Sequence, residues 1–374
     1  MSKVIMGQIY EHKQTKKLIH HIPKGAIAFV WHEDLDCVSV NGLIDCGVKA
    51  VVNGSTSMTG RYNHSNVLTL LEAGISVFDV VNLKAKDEIL EGEEVLIIEN
   101  TLYIKKEGEF CELAMIAPYD EEVIFQLKGL ARASYAQRFD DFLSNTIQYA
   151  KKEQMKFIHN PTLPNEFEQL NEKEVVIVAR GGNYEKDLAY LKKSFVKQKL
   201  IILAVDGAAD GLLKMGMKPD FIIGDMDSVS EESLMCGAIL ICHQYQDGRS
   251  PASERVESLG LPFQLVSLIG TSEDMAIQAA FWSRAKHIYL VGCRFGMKDF
   301  LEKGRDGMAS SVLTRIQAGD CLTDLKGIHK LKQNRTFASP RWLKETEQSL
   351  NEVIGKVLIE GKGWLRKKGA LRHE

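Results

Sequence analysis

Two carboxylates one residue apart, Asp225 and Asp227, stand behind a short apolar run, Phe221 to Ile223, with Gly224 between and Ser228 after them. An apolar run of that length, closed by a glycine, reads as a buried parallel strand. In open α/β sheets, ligands bind beyond the carboxyl ends of the strands. Carboxylates held there suit Mg²⁺, which takes one or two of them and fills its octahedron with water and substrate phosphate oxygens. On spacing alone the pair equally fits a turn whose Asp residues cap the next helix. The flanks add a third acid. Leu200 to Val205 is a second short apolar run, and it ends in Asp206-Gly207. Asp206, Asp225 and Asp227 are therefore expected on one edge of one sheet, a place for metal and phosphate chemistry.

Other residues could complete such a site. Gly181 and Gly182, in Arg180-Gly181-Gly182-Asn183, lie between a strand over 174–179 and a helix reaching about Lys197. A glycine pair there lets a phosphate approach the backbone, or simply makes a tight turn. Arg249 and Arg305 offer guanidinium forks for phosphate oxygens, or ion pairs at a sheet edge. Thr271-Ser272-Glu273-Asp274 is a helix start with a hydroxyl cap and acids in the first turn.

These residues need strands and helices to hold them. Apolar runs at 238–242, 263–268 and 287–291, with helical stretches between, continue a βαβ pattern and a doubly wound sheet. Upstream, strands are read at 26–31, 50–52 and 75–80, a helix at 37–46, and a hairpin over 95–105. The stretch Asn53 to Asn66 is long, polar and rich in Ser, Thr and Gly. Such a loop inside a compact domain is usually functional or disordered, so it is read as presenting Arg61 and backbone amides to an anion. The acids of His32-Glu33-Asp34-Leu35-Asp36 read as caps of the helix that follows. Residues 118–158 read as one or two long helices. Leu127, Leu130, Ala131, Ser134, Phe139, Phe142, Leu143 and Ile147 fall near helical spacing and suggest a core-facing stripe, or a dimer surface. The reading gives an amino-terminal α/β domain over 1–117, a helical connector over 118–165, a doubly wound domain over 166–335 and an amphipathic, basic tail over 336–374.

At 374 residues the chain exceeds what one core usually serves. A net charge of −3 gives no argument for nucleic acid. Seven cysteines without a CxxC pair argue against zinc and against a disulfide framework, so a reducing compartment is expected. No apolar run approaches the roughly 20 residues of a spanning helix.

Val205-Asp206-Gly207-Ala208-Ala209, Pro219-Asp220 and Gly224-Asp225-Met226-Asp227-Ser228 resemble the catalytic domain of thiamin pyrophosphokinase. One branch of that superfamily is closer. His243-Gln244-Tyr245-Gln246-Asp247-Gly248-Arg249, Gly270 to Asp274, Gly307 to Ser310 with Leu313-Thr314-Arg315, and the amino-terminal His32 to Asp36, Val51 to Asn53 and Ser57 to Tyr62 resemble the SteA-like proteins. Those are bacterial proteins associated with the cytokinetic ring, and the resemblance spans about residues 10 to 331.

The resemblance implies ATP and thiamin as ligands, while Mg²⁺ is read from the carboxylates themselves. It implies catalytic roles for Asp206, Asp225 and Asp227, and metal binding by Asp225, Asp227 and Asp274. It implies nucleotide contacts from Gly181, Gly182, Gly224, Ser228, Arg249, Thr271 and Arg305. Because Thr271 is followed by Ser, Glu and Asp, the acid matching the family's Thr-Asp is open between Glu273 and Asp274, and Asp274 is taken. The β-sandwich that completes the thiamin site in the pyrophosphokinases is not readable after Asp274. The expected function is a division-associated protein that binds a Mg²⁺-nucleotide or diphosphate. The alternative is an active pyrophosphokinase with a hydroxyl acceptor. The expected setting is the cytoplasm, at the division site or peripheral to the membrane. The tail is read as packing back onto the body, with a membrane surface or a partner as the alternative; the other expected partners are a division protein and a second copy of the chain, with no nucleic acid.

Overall fold

The computed structural model describes residues 4–84, 91–245 and 247–333, without the side chains of 194, 196, 197, 332 and 333. The expectations for the tail over 336–374 lie outside the described residues. Two sheets share one compact unit that reaches Lys326, and a second unit starts at Gly327. The chain is of mixed α/β class.

The first sheet is a closed seven-stranded barrel. Its strands are β1 (Val4–His12), β2 (Ile27–Val30), β3 (Ala50–Asn53), β4 (Ser76–Leu83), β5 (Glu94–Ile98), β6 (Thr101–Lys106) and β7 (Glu109–Pro118). Strands β1 to β4 run parallel, and the antiparallel β7, β6 and β5 close the sheet back onto β1. Alternation along the strands makes two cores. Ile27, Phe29 and Val52 fill the barrel, while Ala28, Val30 and Val51 pack beneath α1 (Thr15–Ile19), α2 (Cys37–Cys46) and α3 (Asn66–Glu72). Asp36 caps α2 by accepting from the Ser39 amide at 2.6 Å, as expected, and Gly47 ends it in the left-handed region at φ 66°.

Two helices follow, α4 (Glu121–Ala133) and α5 (Tyr135–Ile158). The expected core-facing stripe is only partly so. Phe142 and Ala131 are buried, but Leu130, Phe139, Leu143 and Ile147 are exposed, because α5 turns a different face, through Phe142, Thr146 and Phe157, to the protein.

The second sheet has seven parallel strands in the order β12-β11-β10-β9-β8-β13-β14. They are β8 (Glu174–Val178), β9 (Ile201–Val205), β10 (Phe221–Gly224), β11 (Ile239–His243), β12 (Gln264–Val266), β13 (His287–Val291) and β14 (Leu322–Asp324). Helices α6 (Tyr184–Gln198), α7 (Ala208–Lys214), α8 (Glu231–Leu234), α9 (Pro251–Ser258), α10 (Ser272–Trp282), α11 (Met297–Leu301) and α12 (Ala309–Ala318) form the connections. The order walks outward from β8 to β12 and then returns to lay β13 on the other side of β8. The switch between β8 and β13 is where such sheets open a ligand crevice.

Candidate functional site

The acidic turn is held by its buried centre. Met226, between the two acids, is fully buried and left-handed at φ 57°. Arg255 of α9 donates to the carbonyls of Met226 and Val229. Anchoring Met226 inward sends both neighbours outward. The turn is therefore not extended, and the acids reach different partners. Asp225 meets His243 Nδ1 at 3.1 Å, and Asp227 lies 3.7 Å from Lys16 Nζ of α1.

Asp206 stands beneath them at the end of β9. A Cβ on Gly224, whose φ is 143°, would fall 2.0 Å from Asp206 Oδ1, so only glycine leaves the carboxylate its place. Asp206 accepts from the Met226 amide at 3.2 Å and from the Ser272 hydroxyl. Burial pushes its carboxyl above the ordinary value, with the Asp225 and Asp227 charges adding to the rise against those hydrogen bonds. The three acids do gather on one edge.

They line a cleft of about 580 Å³ between that edge and the barrel. Lys13 and Lys16 enter it from the barrel side, and Arg180, Arg294, Lys303 and Arg305 from the sheet side. Arg180 and Arg294 follow β8 and β13 at the switch point, where Arg294 donates to the Arg180 carbonyl at 2.9 Å. Glu273 at the start of α10 is buried in the wall and accepts from the Arg294 amide at 2.6 Å. Burial raises its carboxyl against the pull of Lys303 and Arg294, and burial lowers the Lys303 ammonium.

The remaining sequence-derived residues divide. Ser228, Thr271 and Arg305 line the cleft. Gly181 and Gly182 line an adjoining cleft of about 570 Å³ that shares Lys16, Val38, Arg180 and Ser228 with the first. Gly181 has a packing reason as well, since a Cβ there would lie 2.2 Å from the Gly292 carbonyl, whereas Gly182 has open space. Asp274 does not line the cleft. Its carboxylate accepts from the Thr271 amide at 3.0 Å and from Ser310 and Ser311 at 2.8 and 2.9 Å, which closes a capping box on α10. Glu273 is the acid of that segment that reaches the cleft. Arg249 is 80% exposed and folds onto Asp247 at 2.5 Å, away from both clefts. Arg61 pairs with Glu33 at 2.9 Å, and several amides of its loop, those of Ser55, Ser57, Met58 and Thr59, already have acceptors. Ser57 donates to Asp79, and Thr59 to Asp34.

Lys16, Arg180, Arg294 and Lys303 were not singled out in the sequence as site residues. Arg180 and Arg294 each stand just beyond a strand end, a signal that was open to reading. The placing of Lys16 needs the packing of barrel on sheet.

Oxygen donors with Arg and Lys around them fit a divalent cation bound together with phosphate. Among the described residues, no three His, Cys, Asp or Glu converge into a metal-ligand group. A cation at Asp225 and Asp227 would therefore complete its shell from water and ligand oxygens, as Mg²⁺ does.

Residues 142–300 match the family described as MptE-like, 6-hydroxymethylpterin diphosphokinase. Similar solved structures include a thiamine pyrophosphokinase from Bacillus subtilis, 18% identical with a TM-score of 0.26, covering 41% of this chain and 60% of that one. They also include 3-isopropylmalate dehydratase (leuD) from Methanocaldococcus jannaschii, 13% identical with a TM-score of 0.22, covering 36% of this chain and 99% of that one. No curated protein matches the chain. The stretch from α5 to α11 is thus similar to that diphosphokinase family. No helix among the described residues is long and apolar enough to cross a membrane.

Proposed function

We propose that the protein binds a Mg²⁺-nucleotide or another diphosphate ligand in the cleft. The observation behind this is the facing of three strand-end carboxylates by Lys16, Arg180, Arg294 and Arg305 in one cavity. The acids would hold the cation and the guanidinium groups the phosphate oxygens. Trp31, on the barrel side, offers a flat wall. Its Nε1 donates to Glu11 at 2.7 Å and its ring rests on Gly54, where a Cβ would lie 2.5 Å from it. The division-associated setting rests on the SteA-like motifs and belongs to this proposal.

A second reading, diphosphoryl transfer, is favoured by the match of residues 142–300 to hydroxymethylpterin diphosphokinases. The acceptor hydroxyl oxygen would attack the β-phosphorus of ATP, the bond to the α-phosphate would break, and AMP would leave. Asp206 would orient that hydroxyl or take its proton. Mg²⁺ would supply charge neutralisation, the larger part of what such a transfer requires. Thiamin itself is expected to be a poor acceptor, because the β-sandwich that completes the thiamin site in the pyrophosphokinases is not readable after Asp274.

Calorimetry with ATP and Mg²⁺ tests the first reading. Binding is expected, weakened about tenfold or more in Asp225→Asn and in Asp227→Asn. Equal affinity in all three proteins removes the assignment. AMP release in the presence of 6-hydroxymethylpterin, lost in Asp227→Asn, would put transfer ahead of binding alone.

A further inference from the structure

Helix α5 carries a row of apolar residues that the other described residues leave exposed. Tyr135, Phe139, Leu143 and Ile147 follow at four-residue steps along its exposed side, with Leu143 43% and Ile147 46% accessible. The protein-facing side is accounted for by other residues. Phe142 packs edge-on against Phe300 at 6.5 Å, Thr146 Oγ1 accepts from the Met308 amide at 3.1 Å, and the Phe157 carbonyl accepts from Gln317 at 2.6 Å. An apolar row of this length on a surface helix marks an interaction site.

The charges beside the row identify what it fits. Asp140 and Lys151 are both exposed, and they stand eleven residues apart on α5. Eleven residues is about three turns, so both flank the row on the same side. The point midway between them, at residues 145 and 146, lies at the carboxyl-terminal half of the row, beside Leu143 and Ile147. In two antiparallel helices related by a two-fold axis, like flanks face each other. Placing the axis at that midpoint sets Asp140 against Lys151 of the other helix, and Lys151 against its Asp140. Leu143 then meets Ile147 of the other helix, and Ile147 its Leu143, on either side of the axis. Flanking charges of this kind fix partner and direction in helix pairing, and a self-complementary patch is what an isologous dimer requires.

We propose that the protein is a homodimer joined by antiparallel pairing of α5 with α5 of a second copy, centred on Leu143 and Ile147. The contact lies on the connector and leaves the cleft residues outside it.

Sedimentation velocity of the full-length chain, across a concentration series, reads the result. A species of twice 41.9 kDa is expected. Leu143→Glu with Ile147→Glu should give a monomer whose thermal unfolding is unchanged. Charge reversal gives an independent arm should that variant fold poorly. Asp140→Lys alone, or Lys151→Asp alone, is expected to raise the dimer dissociation constant about tenfold, because like charges then face each other twice. The double variant Asp140→Lys/Lys151→Asp should restore it. A monomeric wild type overturns the proposal, including one that dimerises only after residues 334–374 are removed, since the row would then belong to that segment. A dimer indifferent to the glutamates, or a double variant no better than the singles, overturns the pairing.

Discussion

The barrel and the parallel sheet both place acids where parallel strand pairing ends, and the two sets meet different surroundings. In the barrel, Asp34, beyond β2, and Asp79, at the last parallel pairing of β4 with β3, are turned in under the 53–66 loop. Asp34 accepts from the Thr59 amide at 2.7 Å and its hydroxyl at 2.8 Å, with His64 Nε2 at 3.5 Å. Asp79 accepts from the Ser57 amide at 3.0 Å and the Tyr119 hydroxyl at 2.7 Å. Their oxygens are satisfied by the chain itself. Beyond β9 and β10, Asp206, Asp225 and Asp227 open into a cleft among cations instead. An acid at a strand end is thus a binding group only where the loop above it leaves its oxygens free for something else.

The sharpest way to break this contrast is at Gly224. Gly224→Ala brings a Cβ onto Asp206 and forces alanine to a φ of 143°. It is expected to cost about 2–4 kcal/mol of stability and to abolish ATP binding. Chemical unfolding and calorimetry would read both, and an unchanged binding isotherm would mean Asp206 has no part in the site.

The next effect separates stability from binding. Asp34→Ala leaves the Thr59 amide and hydroxyl without their acceptor, and about 1–3 kcal/mol of stability should be lost with ATP affinity unchanged. Asp225→Asn should do the reverse. The two barrel acids also differ in pH dependence. Burial raises the Asp34 carboxyl, but the His64 and Thr59 contacts outweigh it and hold it below the ordinary 3.8. Its stabilisation is present above that value and is lost as pH falls through the lower folded value. Asp79 is raised, chiefly by burial, so its ionisation opposes folding as pH climbs from 3.8 upward. The cost of Asp34→Asn should therefore grow between pH 3 and about 6, while that of Asp79→Asn shrinks. Parallel slopes in denaturation series would contradict this.

A smaller effect tests the barrel's share of the cleft. Trp31→Ala is expected to weaken ATP binding by about 1 kcal/mol through lost stacking, with inorganic tripolyphosphate bound as before. Equal losses for both would make Trp31 a structural residue. The smallest expectation is Arg249→Ala, which should change neither quantity measurably, since this exposed arginine pairs only locally with Asp247.

Much of the parallel sheet was legible in the sequence. Strands β9, β10 and β13 are short, largely buried runs closed by glycine or acid, a pattern that burial on both faces imposes. Strands β1, β7 and β14 were not read. In β1 and β7 exposed and buried positions mix, and β14 has only three residues at an edge. Asp206, Asp225 and Asp227 were legible because each follows an apolar run directly. The choice of Asp274 over Glu273 was not settled by sequence, because one residue on a helix's first turn decides between a cap and a cleft wall. Arg61 and Arg249 fit an anion site by type alone, and each has an acid close at hand.

In both sheets the strand made first ends up with neighbours on either side, and one of those neighbours comes late. β1 pairs with β5 through Ile5 and Ile97, and β8 pairs with β13 through Glu174 and His287. As the chain emerges amino end first, one rim of β8 has no partner until nearly all of the second sheet has been synthesised. Such contacts between distant residues slow folding, and an open strand rim invites pairing with other chains. Chains cut short before β13 should therefore collect in aggregates, while chains that reach β14 have both rims of β8 covered.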